Sequence, residues 1–153
     1  MSFERVRGYF KERGLEDRLL SPEVTTGTVE EAARALGVDE GSIVKTMAFR
    51  LKDRDILVLL RGTARVDNRK FIAQFARRAK FVPADELERV TGHKMGGVCP
   101  FALPSPLEIY IDESLRGLGL CCPAAGDAFH AARLTPDELV ALTGARWVDV
   151  SGG

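Results

Sequence analysis

Two short stretches hold residues whose types and spacing could do chemistry. The first, Val44-Lys45-Thr46-Met47-Ala48-Phe49-Arg50-Leu51, alternates like a β-strand. Successive side chains of a strand point to opposite faces, so Lys45 shares a face with Met47, Phe49 and Leu51. A lysine at the head of an apolar row either snorkels past the strand end or projects its ammonium into a pocket. The second stretch, Gly96-Gly97-Val98-Cys99-Pro100, lies about fifty residues further on. Glycine tolerates positive φ and leaves main-chain N–H groups open to a ligand, and Pro100 stiffens the exit. Such a turn can present successive amides to a developing negative charge, as an oxyanion hole does. A Gly-Gly pair equally makes an ordinary turn.

The patterns of several other chemistries are missing from the sequence. It has no G-x-S-x-G elbow, no phosphate-binding G-x-x-x-x-G-K-[ST], no G-x-G-x-x-G and no H-E-x-x-H. His93 and His130 are far apart, and neither has a serine or cysteine in a recognisable triad frame. Cys99, Cys121 and Cys122 form no C-x-x-C pair and no metal-ligand spacing with histidine. Cys121 and Cys122 read as small buried hydrophobes in a reducing compartment, and a thiol-redox role for them would rest on one dipeptide. Neither a metal nor an organic cofactor is expected. An enzyme built from these residues works by positioning and electrostatics rather than through a covalent protein nucleophile.

The elements that must position the two stretches are legible from pattern. Residues 2–13 read as an amphipathic helix, and Thr28-Val29-Glu30-Glu31 opens a second that ends at Gly37. Strands at about 43–51 and 55–61 form a hairpin across Lys52-Asp53-Arg54-Asp55. Asp67 caps a helix through about residue 78, and a short helix near 84–91 follows Pro83. The glycine- and proline-rich stretch 92–106 is loop. Strands recur at about 107–112, 118–123 and 128–133, Thr135-Pro136-Asp137-Glu138 opens a last helix, and a final strand lies near 146–150. The expected fold is α+β, a mixed, largely antiparallel sheet flanked by helices, with the β-rich middle curling into a partly closed barrel.

Length and composition fit one ordinary globular domain over residues 1–153, with 45% hydrophobic and 29% charged residues. No apolar run is long enough to span a membrane, and Met1-Ser2-Phe3-Glu4-Arg5 lacks the apolar core of a signal peptide, so a cytoplasmic location is expected. The net charge is zero but unevenly spread. Residues 44–80 carry eleven Lys and Arg against three Asp, a block of +8, whereas residues 1–43 sum to −3 and residues 81–153 to −5. Such a block can hold a polyanion. It can also be a set of solvated hairpin and helix faces.

Four segments, TVEEAARALGVDEGSIVKTMAFR, ILVLLRGTARVDNRKF, TGHKMGGVCPFALP and LTPDELVALTGARWVDV, occur in this order. Together they resemble the YbaK/prolyl-tRNA-synthetase-associated editing domain family, free-standing deacylases of mischarged tRNA, over about residues 20–150. The resemblance implies that Lys45 engages the phosphate and adenosine of the tRNA 3′ end. It implies that Gly96 and Gly97, with Val98, Cys99 and Pro100, form a G-x-x-x-P loop whose amides polarise the aminoacyl ester. Lys45, Gly96 and Gly97 are therefore the expected catalytic residues. Thr46 and Met47 beside the lysine, and Asp67, Asn68 and Lys70 after the hairpin, are expected to bind substrate. Ala124, Ala125, Gly126 and Asp127 fall where the family lines its pocket, with Ala125 at a position where some relatives contribute a serine. Met47, Val98, Cys99 and His130 are expected to set the amino acid admitted. The implied partner is the acceptor end of a mischarged tRNA, with tRNA for proline carrying a small non-cognate amino acid as the expected substrate. Prolyl-tRNA synthetase is a further expected partner, and DNA and membranes are not. The nucleophile is water, a ribose hydroxyl or the substrate's own side chain. The alternative is a non-catalytic module of the same fold that grips tRNA ends or a protein.

Overall fold

The computed structural model describes residues 2–152. Its organising element is the hairpin of β2 (Ile43–Arg50) and β3 (Asp55–Arg61), paired antiparallel from Val44 opposite Arg61 to Arg50 opposite Asp55. Ile56 to Leu60 of β3 are all fully buried. A strand with such a continuous apolar run must be covered on both faces. Ile56, Val58 and Leu60 join Phe49, Phe71 and Tyr110 on one side, whereas Leu57 and Leu59 join Phe10, Ile111 and Leu139 on the other.

The remaining strands are β1 (Leu19–Leu20), β4 (Arg65–Val66), β5 (Glu108–Asp112), β6 (Cys122–Pro123), β7 (Ala131–Ala132), β8 (Arg146–Val148) and β9 (Ser151–Gly152). The helices are α1 (Ser2–Glu12), α2 (Val29–Leu36), α3 (Asn68–Phe75), α4 (Ala84–Thr91) and α5 (Pro136–Thr143). β1 with β7 and β4 with β9 make two small antiparallel sheets, and the third sheet is mixed, in the order β6-β2-β3-β5-β8. Outside the central hairpin its neighbours run parallel. Parallel neighbours need a crossover, and α3 and α4 supply it between β3 and β5. The architecture is thus α+β with a mixed sheet flanked by helices. No strand pairing among the described residues joins the two edges, β6 and β8, so the sheet is open where a partly closed barrel was expected.

Local signals fix most boundaries. The Thr28 hydroxyl accepts from Glu31 N–H, and Gly37 closes α2 in the left-handed conformation. The Asp67 carboxylate accepts from the N–H groups of Arg69 and Lys70. α3 stops at Phe75, short of the expected 78, because Ala76 turns left-handed at φ 65°. The expected strands at 118–123 and 128–133 shrink to two residues each, extended only by single bridges from Cys121 to Leu134 and from Ala124 to Ala131. No helix of the described residues is long and apolar enough to cross a membrane.

α5 opens with a full capping box between Thr135 and Glu138. The Arg18 guanidinium at 2.6 Å, and then Thr135 N–H at 2.9 Å, hold the Glu138 carboxylate at a pKa of about 2, below its ordinary 4.5. A carboxylate depressed in this way adds stability above about pH 4.5 that is lost as pH falls toward 2. Glu138→Gln should therefore lose less of its thermal midpoint than the wild type between pH 5 and pH 2, although it starts lower. Parallel pH profiles for the two proteins would rule this pair out as a source of acid sensitivity.

Candidate active site

β2 has an outer edge that is paired at both ends and open between them. At one end Ile43 and Val44 pair with β6. At the other, Arg50 N–H donates to Lys80 O (2.7 Å) and Val82 N–H donates to Ala48 O (3.0 Å), around a single bridge between Phe49 and Phe81. The hydrogen-bonding direction alternates along a strand. Ile43 O and Leu51 N–H bond toward the hairpin partner, to Gly62 and Arg54, so the odd-numbered residues face β3. Thr46, even-numbered, turns its N–H and C=O to the open edge.

A pocket of about 550 Å³ fills this gap. It wraps around the strand edge, so the consecutive residues Val44 to Ala48 all line it, although their side chains alternate between faces. Its floor and walls are largely apolar, with Val29, Ala32, Ile43, Leu87 and Ala131 among them. Against that lining stand one ammonium and a few hydroxyls. The hydroxyl oxygens of Thr26 and Thr46 are buried and have no hydrogen-bond partner among the described residues. A buried polar atom left unpaired costs about 1–3 kcal/mol. Both hydroxyls line the pocket, where a ligand can satisfy them.

Lys45 is half-buried, and its Nζ donates to Ala64 O. It has no carboxylate partner among the described residues. Burial lowers its pKa first, and the charge of nearby Arg65 lowers it further. Both effects are those of a cation placed without an anion, and a bound phosphate would reverse the second.

The glycine turn divides its work. Gly96, at φ +93°, lines the pocket and packs against Gly27 and Ala128. Gly97 faces inward. Its N–H donates to Lys94 O (2.9 Å) and its carbonyl accepts from Gly126 N–H (3.1 Å). A Cβ on Gly97 would collide with the backbone of Gly126 and Asp127, and one on Gly126 would meet the backbone of Ser2 and Phe3. The amides of Gly96 and Val98, unlike that of Gly97, have no acceptor among the described residues. Both residues line the pocket.

The other sequence-derived candidates fall in three places. Lys45, Thr46, Met47, Gly96 and Val98 line the pocket together. Cys99, Pro100, Ala125, Gly126, Asp127 and His130 lie outside its lining and support the turn. Asp127 Oδ1 accepts from Phe129 N–H and binds His130 Nδ1 at 2.7 Å, and the His130 ring stacks on Phe3 with centroids 3.5 Å apart. Asp67, Asn68 and Lys70 also lie outside the pocket lining. Asp67 caps α3, Asn68 Oδ1 accepts from Ala79 N–H, and Lys70 bridges to Asp149 and Ser151 O. Of the small-residue segment expected to line the pocket, Ala124 does so. Sequence reasoning missed Thr26 as a lining residue, together with the mouth residues Phe81 and Met95.

Cys99 and His93 make the one thiol–imidazole contact among the described residues, Sγ to Nε2 at 3.4 Å. Both are fully buried. Nε2 donates to Phe101 O at 2.7 Å, which leaves Nδ1 to accept from the Ser2 hydroxyl. Burial keeps the imidazole neutral and pushes the Cys99 thiol up to about 12, so the pair supplies no thiolate. No group of three or more His, Cys, Asp or Glu among the described residues is placed to hold a metal ion.

The family model described as aminoacyl-tRNA editing domain matches residues 23–142. The chain is 37% identical over 152 residues to the uncharacterized protein YwhH of Bacillus subtilis, covering 98% of this chain and 97% of that one. It is 35% identical over 92 residues to a proline--tRNA ligase of Caldicellulosiruptor saccharolyticus, a match that spans 60% of this chain and 16% of the ligase. A solved structure described as a candidate trans-editing enzyme for prolyl tRNA synthetase superposes with a TM-score of 0.90 at 34% identity, covering 99% of this chain and 98% of that one.

The contact of Gly97 with Gly126 and Asp127 has a direct test. Gly97→Ala should destabilise the fold by about 1–3 kcal/mol, as forced overpacking does, measured by urea unfolding. Gly96→Ala meets only ordinary contacts but must keep φ +93°, so its cost, about 1–3 kcal/mol, comes from backbone strain rather than collision. Equal stability of Gly97→Ala and wild type would refute the packing described.

Proposed function

The chain belongs to the aminoacyl-tRNA editing domain family, and on that premise we propose that it is an aminoacyl-tRNA deacylase acting in trans. Its substrate is a tRNA for proline mischarged with a small amino acid, met in the cytoplasm, with prolyl-tRNA synthetase as a partner that delivers or retains the tRNA. The observation that carries this reading is the meeting of an unpaired cation, Lys45, with the glycine turn in one apolar pocket of about 550 Å³. A charged RNA 3′ end offers the matching parts, a phosphate beside a ribose ester. The similarity to a proline--tRNA ligase and to the candidate trans-editing enzyme supports proline tRNA as the carrier.

Each residue then has a role. The Lys45 ammonium takes the terminal phosphate in place of Ala64 O. The amides of Gly96 and Val98 donate to the ester carbonyl oxygen as it gains charge, a contribution of about 3–4 kcal/mol for a single oxyanion donor. Gly97 holds those amides in place. The hydroxyls of Thr26 and Thr46 and the open peptide edge of Thr46 receive the polar atoms of the aminoacyl group. Water adds to the carbonyl carbon, the ester C–O bond breaks, and the proton passes to the departing ribose oxygen, giving free amino acid and an intact tRNA end. The apolar walls select by size, which discriminates by only about 1–3 kcal/mol per methylene.

Lys45→Ala should lower kcat/KM for deacylation by about 10- to 100-fold, the value of a charge-assisted hydrogen bond. The measurement is hydrolysis of Ala-, Cys-, Ser- and Pro-tRNA for proline by wild type and variant, with the fold checked by circular dichroism. Rapid loss of one non-cognate ester, sparing Pro-tRNA and suppressed in the variant, is the expected result. Unchanged turnover in Lys45→Ala would remove that lysine from the mechanism. Stoichiometric binding of charged tRNA, with no ester loss above the spontaneous rate, would replace the enzyme reading with a binding module.

A further inference from the structure

Phe81 is 59% exposed, and Met95 is 73% exposed. They are the two most exposed large apolar side chains among the described residues, and both line the pocket described above. The other exposed aromatic ring among the described residues, Phe129 at 50%, does not line the pocket. The setting of Phe81 is specific. One face of the Phe81 ring lies on Phe49, with centroids 5.1 Å apart and planes 22° from parallel, and Phe49 is only 1% exposed. The backbone on either side of Phe81 is fixed to β2 by the Arg50–Lys80 and Ala48–Val82 hydrogen bonds. Arg50 also ties the hairpin to α4, at 2.9 Å from Asp55 and from Glu86. The ring is thus a supported plate, backed on one side and open on the other.

The segment that leads into Phe81 is cationic, and α4 just beyond it carries Asp85, Glu86 and Glu88. Lys80 and Arg78 are exposed, Arg77 is half-buried, and none of the three has a carboxylate partner among the described residues. Lys45 lies within the same pocket. A flat π-surface with unpaired cations around it suits a nucleobase on a polyanionic strand better than it suits an apolar protein segment.

We propose that Phe81 is a stacking platform for the terminal base of the RNA 3′ end whose ester enters the pocket. The proposal rests on the deacylase reading for the identity of the RNA. The stacking site itself requires only that a single-stranded 3′ end reach the pocket. In this arrangement Lys45 holds the phosphate, Phe81 the base and the glycine turn the ester, so three separate groups fix one nucleotide. Stacking of this kind is sequence-independent, so it holds the 3′ end without choosing the tRNA.

The test uses an uncharged acceptor-stem RNA with 2-aminopurine in place of its terminal adenine, titrated with the full chain. Wild type and Phe81→Tyr should quench the 2-aminopurine fluorescence. Phe81→Leu, which keeps an apolar side chain over Phe49 but offers no π-face, should quench less and bind on the order of 10-fold more weakly. Equal quenching and affinity for Phe81→Leu and wild type, or no quenching by wild type, would overturn the proposal. This readout needs no turnover, so a protein that stacks the base but hydrolyses no ester would refute only the deacylase reading.

Discussion

The site depends on three layers of main chain laid directly on one another. Gly97 rests on Gly126 and Asp127, and Gly126 in turn rests on Ser2 and Phe3 at the start of α1. At each contact the space that a Cβ would need is taken by backbone, so the layers can be closer than any side chain would allow. The Gly126 N–H to Gly97 O hydrogen bond ties two of the layers together. Phe3, His130 and Asp127 continue the stack sideways. Remove the close approach and the turn moves away from β2, and with it the amides that face the pocket. α1 therefore does more than cover the sheet with Val6 and Phe10, because its first turn is the surface that the glycine turn leans against.

Against this rigid side stands β2, whose unusual trait is what it leaves undone. Its outer edge is paired at its two ends and open at its middle. The opening concentrates unsatisfied groups within a few residues: the Lys45 ammonium, the Thr46 peptide and the Thr46 hydroxyl, with the Thr26 hydroxyl also in the pocket lining. In an interior built for stability alone each of these would be paired. Their collection in one apolar pocket marks where stability has been conceded to binding.

Much of the frame was legible from the sequence. The hairpin of β2 and β3 followed from two apolar strands joined by a polar turn, and the caps at Thr28, Asp67 and Thr135 from their side-chain chemistry. Lys45 stood out because its parity was wrong for its charge. The sequence could not reveal which residues the crossovers bring to the gap. Thr26 and Phe81 are distant from Lys45 along the chain and ordinary in type, and their role comes from being left unpaired or uncovered. The short strands after Gly117 were overread for the same reason, since apolar alternation does not show whether a partner strand is available. The roles of Asp67, Asn68 and Lys70 illustrate a further limit. Polar residues in a recognised motif attract a functional reading, while here their side chains cap a helix, hold Ala79 N–H and close the chain end onto β4.

The gap in β2 also bears on how the protein meets other chains. An exposed strand edge is a template on which another chain can add a strand, and proteins commonly blunt such edges with charge or make them short. Here the segment at Lys80–Val82 and strand β6 cap the opening on either side, leaving little more than the Thr46 peptide on offer. That length can take a small ligand and is too short to nucleate a ladder, and Lys45 adds a positive charge at the place where a foreign strand would have to dock. The same lysine that lines the pocket thus sets a charge against strand addition, so a variant lacking that charge would present a stickier edge.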